Sequence, residues 1–317
     1  MSAVGKVSII VPVWNERGLI QDFLARITGI LDSVDCAYEI VFVNDGSNDG
    51  TDNIIAEAAR DDERVKLVSL SRNFGKEAAL TAGLDHCDGD CAIPMDVDMQ
   101  DPPELIPEMI QQWIRGFEVV NAIRSDRSAD TLGKRLTADL FYRLFNYTAD
   151  SRIPSHAGDF RLLDRKVIEA IRSLPERNRF MKGIFAWVGF KQTQVYFQRC
   201  PRQQGNSKWN YWKLWNYAID ALTAFGSWPL KIWTYVGTII AMLSALYGLF
   251  LITRVLISGV DVPGYASLMV VVLFFGGIQL LTLGILGEYI GRIYTESKHR
   301  PIYLVSEMMN IKQPNDR

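Results

Sequence analysis

The sequence predicts an α/β fold: a mostly parallel sheet with flanking helices, followed by interfacial amphipathic helices and a two-helix transmembrane hairpin. Three observations predict it. Short apolar, β-branched runs at 7–13, 38–44 and 65–70 alternate with helical patterns at 19–31, 51–60 and 76–84. Such alternation gives parallel strands joined by right-handed crossovers. Polar clusters follow the strands, at the carboxyl ends where sheets of this kind bind ligands. From about Ile232 onward, charges nearly vanish over two runs long enough to cross a bilayer.

The first strand, 7–13, is followed by Asn15 and Glu16 and then by a helix at about 19–31. The second strand, 38–44, closes on Asn44-Asp45-Gly46-Ser47-Asn48-Asp49-Gly50-Thr51, which opens a helix at 51–60. Asn, Asp, Gly and Ser are also the ordinary residues of turns and helix caps, so this cluster by itself has two readings. The third strand, 65–70, leads through Ser71, Arg72 and Asn73 to a helix at 76–84. A fourth apolar run from Cys91 ends in Asp96-Val97-Asp98, and a Pro pair starts the next element. This run reads as a buried strand carrying two carboxylates at its C-terminal tip. The period of two puts Asp96 and Asp98 on one side. Paired carboxylates repel, and a hard divalent cation with oxygen ligands relieves the repulsion. Mg²⁺ or Mn²⁺ in turn suits a diphosphate. A polar turn after a strand would carry the same residues, and Asp-x-Asp alone is common. No G-x-G-x-x-G or G-x-x-x-x-G-K stands at these strand ends, which argues against dinucleotide dehydrogenases and P-loop enzymes.

The formal net charge of −2 over 317 residues marks no nucleic-acid binder. Four scattered cysteines, and no signal peptide before the first strand, predict a reducing cytosolic compartment for the sheet. His86, Cys87 and Cys91 fit no common zinc spacing. After a strand-like run at 117–123 come Arg124 and Arg127, whose guanidinium forks suit phosphate oxygens; a solvated basic loop is the other reading.

Two stretches have interfacial character. At about 134–147, Leu136, Leu140, Phe141, Leu144 and Phe145 share a helical face flanked by Lys134, Arg135 and Arg143. At 209–226, Trp209, Trp212, Trp215, Ile219 and Leu222 recur at three- and four-residue steps. Trp favours the headgroup level and basic amphipathic helices lie in that plane, although ordinary core packing gives the same periodicity. Lys134 and Arg135 would also reach a lipid phosphate. The hairpin comprises spans at about 232–254 and 264–288 with a tight turn between them. Lys208, Lys213 and Lys231 before it, and Arg292, Lys298 and Arg300 after it, place both ends in the cytoplasm. Arg254, at the far end of the first span, departs from that rule and would snorkel outward. A return edge strand at 301–305 and a disordered tail from 308 are expected. The domain organisation is then 1–207 a cytosolic α/β domain, 208–230 interfacial, 231–291 hairpin and 292–317 a cytosolic C-terminal segment.

Four motifs carry a resemblance. Val-Pro-Val-Trp-Asn-Glu at 11–16, Val-Asn-Asp-Gly-Ser at 43–47, Arg-Asn-Phe-Gly-Lys at 72–76 and Asp-Val-Asp-Met-Gln-Asp-Pro at 96–102 resemble family 2 glycosyltransferases of the Rossmann-like GT-A fold. Within that family the chain is most similar, from about Val7 to Tyr303, to polyisoprenyl-phosphate hexosyltransferases of the bactoprenol (undecaprenyl-phosphate) glucosyltransferase type. The resemblance implies that Glu16 and Asp45 hold the nucleoside end of a sugar nucleotide. It gives Asp96 the nucleotide side and, with Asp98 and Gln100, the metal side. Lys76 would assist the donor or be solvated at a helix start. Gly158-Asp-Phe-Arg-Leu162 resembles the motif beside the reacting centre, making Asp159 the base candidate and Arg161 its companion. The nucleophile would be a lipid phosphate monoester with a second pKa of about 6, already mostly anionic at neutral pH. Asp159 would then orient rather than deprotonate. Residues 175–183 resemble the segment before a helix that covers the sugar pocket. The basic loop at 199–208 resembles the mobile acceptor loop, in which Arg202 and Lys208 clamp phosphate.

The expected reaction is inverting transfer of a hexose, most naturally glucose from UDP-glucose, to undecaprenyl phosphate. It would take place on the cytoplasmic face of a bacterial inner membrane, with Mg²⁺ or Mn²⁺ as cofactor. Homo-oligomers up to tetramers are expected. Mannose, aminoarabinose or N-acetylhexosamine donors are alternatives, as is a non-catalytic membrane scaffold. A processive polysaccharide synthase would need more spans and a Gln-x-x-Arg-Trp motif.

Overall fold

The computed structural model describes residues 4–124, 157–177, 179–197 and 264–311, with scattered positions between 235 and 257. The strands are β1 Val4–Val13, β2 Cys36–Asn44, β3 Val65–Leu70, β4 Cys91–Pro94, β5 Val119–Arg124, β6 Ala157–Asp164, β7 Gln192–Phe197 and β8 Val305–Met309. The helices are α1 Ile20–Leu31, α2 Thr51–Asp61, α3 Lys76–His86, α4 Ile106–Ile114, α5 Arg165–Ser173, α6 Met181–Trp187 and α7 Tyr265–Ser297. Among the described residues the strands form one eight-stranded sheet in the order β7-β5-β6-β4-β1-β2-β3-β8. The β4-β1-β2-β3 centre is parallel, and β5 and β7 pair in parallel. Strand β6 is antiparallel to β4 and β5, and β8 is antiparallel to β3. The sheet is thus mostly parallel, as the sequence predicts, with two reversed strands.

Both faces of the sheet are covered, so the central strands are apolar throughout rather than alternating. Alternate β1 residues Val7, Ile9, Val11 and Val13 face α1, α2 and α4, while Ile10, Val41, Val43 and Val68 face α3, α5 and α6. Helix α1 buries Ile20, Phe23, Ile27 and Leu31, one stripe at helical spacing. Phe23 meets Phe42 edge-on, ring centroids 5.9 Å apart. Helix α3 is different: residues 78–84 are all buried, and they include Ala78, Ala79, Ala82 and Gly83. The small residues let the helix approach the sheet closely. A Cβ on Gly83 would lie 2.2 Å from Ile10 Cγ2. Asp164 caps α5 by accepting the Lys166 N–H at 2.9 Å.

Two local expectations are corrected. Strand β4 stops at Pro94, so Asp96 and Asp98 stand in the turn beyond it rather than on a strand. Met99, at φ 55, bends the chain there, and Asp98 Oδ1 accepts the Gln100 N–H at 3.2 Å, as Asp does in turns. Alternation survives in burial alone, with Met95, Val97 and Met99 inside. The return strand is Val305–Met309, not 301–305, and it includes the first residues of the expected disordered tail. Asn310 continues the docking by donating to the Ala59 and Val65 carbonyls at 2.5 and 2.9 Å. The 292–317 segment therefore contributes an edge strand to the sheet.

Among the described residues one helix is long and apolar enough to cross a membrane, over Phe274–Ser297 within α7. At 33 residues α7 runs for about 50 Å. Leu268, Val271, Phe274, Leu280 and Leu283 on it are exposed. Of the expected span at 232–254, scattered positions from Tyr235 to Arg254 are described, and these are helical. The amphipathic stretches at 134–147 and 209–226, with Arg127, Lys134, Arg135, Arg202 and Lys208, lie outside the described residues.

Candidate active site

The loops after β1, β2, β3 and β4 meet along the carboxyl edge of the sheet. Their backbones are stitched together by the same polar residues that make the sequence motifs. Asn15, at φ 54, donates its N–H to Ser47 Oγ at 2.9 Å and accepts the Asn48 N–H at 2.9 Å. The Glu16 N–H reaches Thr51 Oγ1 at 3.1 Å, which places Glu16 beside the start of α2. Asn44 Oδ1 accepts the Ser47 N–H at 3.0 Å and closes the β2 turn. Gly46, at φ +66, presses on the next loop: a Cβ there would lie 2.5 Å from the Arg72 carbonyl carbon, which only glycine avoids.

Asp45 is 4% exposed. Its two oxygens accept the Phe74 N–H at 2.7 Å and the Gly75 N–H at 2.9 Å. Burial pushes its carboxyl above the ordinary value, against the opposing pull of those two donors and of Arg72. Asp45 therefore fixes the loop that enters α3, and with it the position of Lys76.

Lys76 is the centre of the cluster. Its ammonium lies 2.7 Å from Asp96 Oδ1 and 2.9 Å from Asp159 Oδ2. The side chains of Lys76 and Asp96 are 41% and 42% exposed, that of Asp159 21%. The pairing register explains the meeting. Cys91 pairs with Asp164 and Ala92 with Leu163 on antiparallel strands. Continued residue by residue beyond the ladder, that register sets Asp96 opposite Asp159. Burial alone would lower the Lys76 pKa, but Asp159 and Asp96 raise it well above the ordinary lysine value. Burial alone would raise that of Asp159, but Lys76, Lys182 and Arg161 hold it well below the carboxylate range. Asp159 is a firm anion at neutral pH.

Arg161 is 2% exposed and donates to the Gly158 carbonyl at 2.6 Å, with its guanidinium 4.4 Å from the Phe185 ring centroid. It supports the Asp159 strand from beneath. Gln100 is buried and Asp98 half-buried, on the turn that carries Asp96. Arg124 ends β5, on the far side of β6 from β4.

Two charged groups at this centre carry no role in the sequence reading. Glu77, in the first turn of α3, accepts the Met181 N–H at 3.0 Å. Burial, and then the Asp159 charge, push its carboxyl up to about 7. Lys182 stands near enough to Asp159 to help hold it ionised. A charge at a helix start is ordinary in sequence, so neither residue carries a local signal.

Among the described residues no three His, Cys, Asp or Glu side chains gather into a self-sufficient metal site. Mg²⁺ needs no such cluster, since it is usually held by one or two carboxylates, water and substrate phosphates. The oxygen donors of Asp96, Asp98 and Gln100 fit such an ion, and Asp96 already faces a cation in Lys76.

The model of glycosyl transferase family 2 matches residues 8–172, and that of the GtrB C-terminal hairpin matches residues 228–293. A glycosyltransferase of Synechocystis sp. is 50% identical over 307 residues, 97% of this chain and 96% of that protein. The bactoprenol glucosyl transferase of Shigella phage SfV is 50% identical over 300 residues, 95% of this chain and 98% of that protein. The SfII prophage-derived bactoprenol glucosyl transferase of Shigella flexneri is 49% identical over 302 residues, with the same coverage of 95% and 98%.

Proposed function

This chain belongs to glycosyl transferase family 2 and is a glycosyltransferase; from that premise we propose that it transfers glucose from UDP-glucose to undecaprenyl phosphate at the cytoplasmic face of a bacterial membrane. The observation that carries the proposal is the near full-length likeness to proteins named bactoprenol glucosyl transferase, spanning both the sheet and the apolar helix.

In this reading Asp45 holds the 72–75 loop against which the nucleoside lies, and Glu16 lines its other side. Asp96, Asp98 and Gln100 would hold the divalent cation. That ion, when bound, neutralises charge on the departing nucleoside diphosphate. Lys76 keeps Asp96 and Asp159 together and presents an ammonium to the same diphosphate. An oxygen of the lipid phosphate attacks the anomeric carbon from the face opposite the nucleotide. A new C–O bond forms, the old one breaks, and its electron pair leaves with the diphosphate of UDP. The configuration inverts.

Asp159 is a weak base here, because a group held well below the carboxylate range accepts a proton poorly at neutral pH. A phosphate monoester with a second pKa of about 6 needs little help in losing its proton. Asp159 therefore orients the reactants and faces the positive charge that develops at the anomeric carbon. Arg124, Arg127, Lys134, Arg135, Arg202 and Lys208 receive the acceptor phosphate, and the two-span hairpin brings the lipid to the carboxyl edge of the sheet.

The test uses the purified, detergent-solubilised full chain with undecaprenyl phosphate, Mg²⁺ or Mn²⁺, and radiolabelled UDP- and GDP-sugars. Label is expected to enter the lipid phase from UDP-glucose and to stop on chelation. Label from a different donor would replace the sugar, and no lipid label from folded protein would overturn the reaction.

A further inference from the structure

The segment between α5 and α6 is held at its middle and at its far end by carboxylates remote in sequence. At its middle, Glu296 in the last turn of α7 accepts the Arg177 N–H at both oxygens, 2.9 Å to Oε1 and 3.1 Å to Oε2. The Arg177 side chain adds a 2.9 Å bond from Nε to the Arg300 carbonyl and a 4.0 Å ion pair to Glu296. At the far end Glu77 accepts the Met181 N–H at 3.0 Å. Between the two, Arg179 donates to the Ile171 and Leu174 carbonyls at 3.2 and 2.9 Å and straps the segment over the end of α5. Helix α6 then lays Phe185 on Arg161 and sets Lys182 near Asp159.

An irregular segment has backbone donors that no ladder satisfies, and each needs an acceptor from elsewhere. Here one acceptor comes from the apolar helix and one from α3, which packs on the sheet. Helix α7 is already tied to the sheet by β8, so the Glu296 contact is not needed to attach it. Its distinct effect is on where α6 sits. The uncharged part of α7 ends at Gly287; the last turns, still within the Phe274–Ser297 stretch, carry Glu288 and Arg292, paired at 2.9 Å, and then Glu296. Those last turns form a stem, and the stem ends on the 174–180 segment.

We propose that Glu296 is a positioning residue for glycosyl transfer: by holding the Arg177 backbone it lets α7 fix α6, whose Phe185 lies on Arg161 two residues from Asp159. The inference rests on the reading that Asp159 lies at the reacting centre. It makes the site responsive to the seating of α7, because the hydrogen bond joins that helix to the segment that leads into α6. Glu77, at the far end of the segment, closes the same path on α3, the helix that carries Lys76.

The experiment compares the full-length, detergent-solubilised wild type with Glu296→Ala, Glu296→Gln and Glu296→Asp. Initial rates are measured against undecaprenyl phosphate, UDP binding by calorimetry, and hydrogen exchange over 181–187 and over β1 to β3. In Glu296→Ala, kcat/KM for the lipid is expected to fall by about tenfold, the scale of one lost charge-assisted hydrogen bond. Exchange over 181–187 should rise, while UDP affinity and exchange in the sheet hold. Glu296→Gln keeps an acceptor oxygen and should recover most of the rate. Glu296→Asp, with its carboxylate one methylene further back, should show a smaller version of the alanine pattern and stands in for it if that variant does not fold. Unchanged exchange over 181–187, or an equal loss in the Ala and Gln variants, overturns the proposal. Should the wild type move no label to lipid, the transfer reading fails, and the exchange data alone decide whether Glu296 holds α6.

Discussion

Lys76 shows how one side chain can organise a site that two carboxylates alone would destabilise. Its ammonium lies between Asp96 and Asp159, so the two anions stand close without repelling each other freely. Asp98, on the same turn, is the residue assigned to the metal. Asp98→Asn should lower turnover by at least the ~100-fold that loss of a ligand-orienting group costs, while the protein stays folded and membrane-bound; activity and chelation assays on the purified variant check both. Glu77 supplies a pH dependence. Its folded pKa, pushed up to about 7, lies above the ordinary carboxylate value, so the folded state holds this proton more tightly than the unfolded chain. Stability should therefore fall as pH rises from about 4.5 to about 7 and then level off. Above pH 7 an ionised Glu77 adds a second negative charge beside Asp159, with Lys76 and Lys182 opposing it, and disfavours an anionic acceptor. Glu77→Gln keeps an acceptor for Met181 and removes that charge. It should flatten the alkaline fall in kcat/KM and raise the melting temperature at pH 8. A pH–rate profile unchanged from wild type would refute the assignment. Lys76 was legible in the sequence as a motif residue but not as a bridge, because both of its partners arrive from other strands.

At the scale of elements, the end of the sheet opposite the site is pinned by a buried network. Glu39 on β2 accepts Ser8 Oγ at 2.7 Å and the Asp88 N–H at 2.6 Å, and it pairs with Lys6 and with Lys66, the latter at 2.8 Å. Burial alone would raise its pKa, but the two lysines and the hydrogen bonds bring it down to about 2. A depressed carboxylate stabilises above its unfolded pKa and loses that contribution as pH falls through the folded one. The loss should therefore run from about pH 4.5 down to about 2 and amount to about 3 kcal/mol. Glu39→Gln leaves Lys66 buried with one partner fewer and should cost about 3–5 kcal/mol, read by urea unfolding. Helix α3 offers a second test. Gly83→Ala drives a methyl group into Ile10, so the helix must lift by a few tenths of an ångström or more. The expected cost is about 1–3 kcal/mol, with a loss of activity beyond it, since Lys76 and Glu77 ride on the same helix. The alternating elements from β1 to α3 were legible because apolar runs, helical stripes and turn residues are local signals. The end of β4 was misread by a few residues, because a buried turn keeps the in-and-out alternation of a strand without its ladder.

For the molecule as a whole, the consequence is a catalytic sheet and an apolar helix tied together at two places. Strand β8 closes the open edge of β3, and Glu296 meets the segment leading into α6. The exposed apolar surface of α7 has no partner in water that would offset its hydration cost. The protein should therefore stay in the membrane fraction through high-salt and carbonate washes and leave it only with detergent; release by salt alone would contradict a spanning helix. The linear order of residues carried the parallel half of the sheet, the carboxylates at its edge, the apolar runs and the family, since each is written in neighbouring residues or short motifs. Three-dimensional folding alone decided that β6 enters antiparallel beside β4 and so brings Asp159 to Asp96, that Lys76 bridges them, and that the chain returns after α7 to finish the sheet. Those outcomes depend on pairings between segments far apart in the chain, where register is chosen by packing and backbone hydrogen bonding, and no local pattern records which strand will lie beside which.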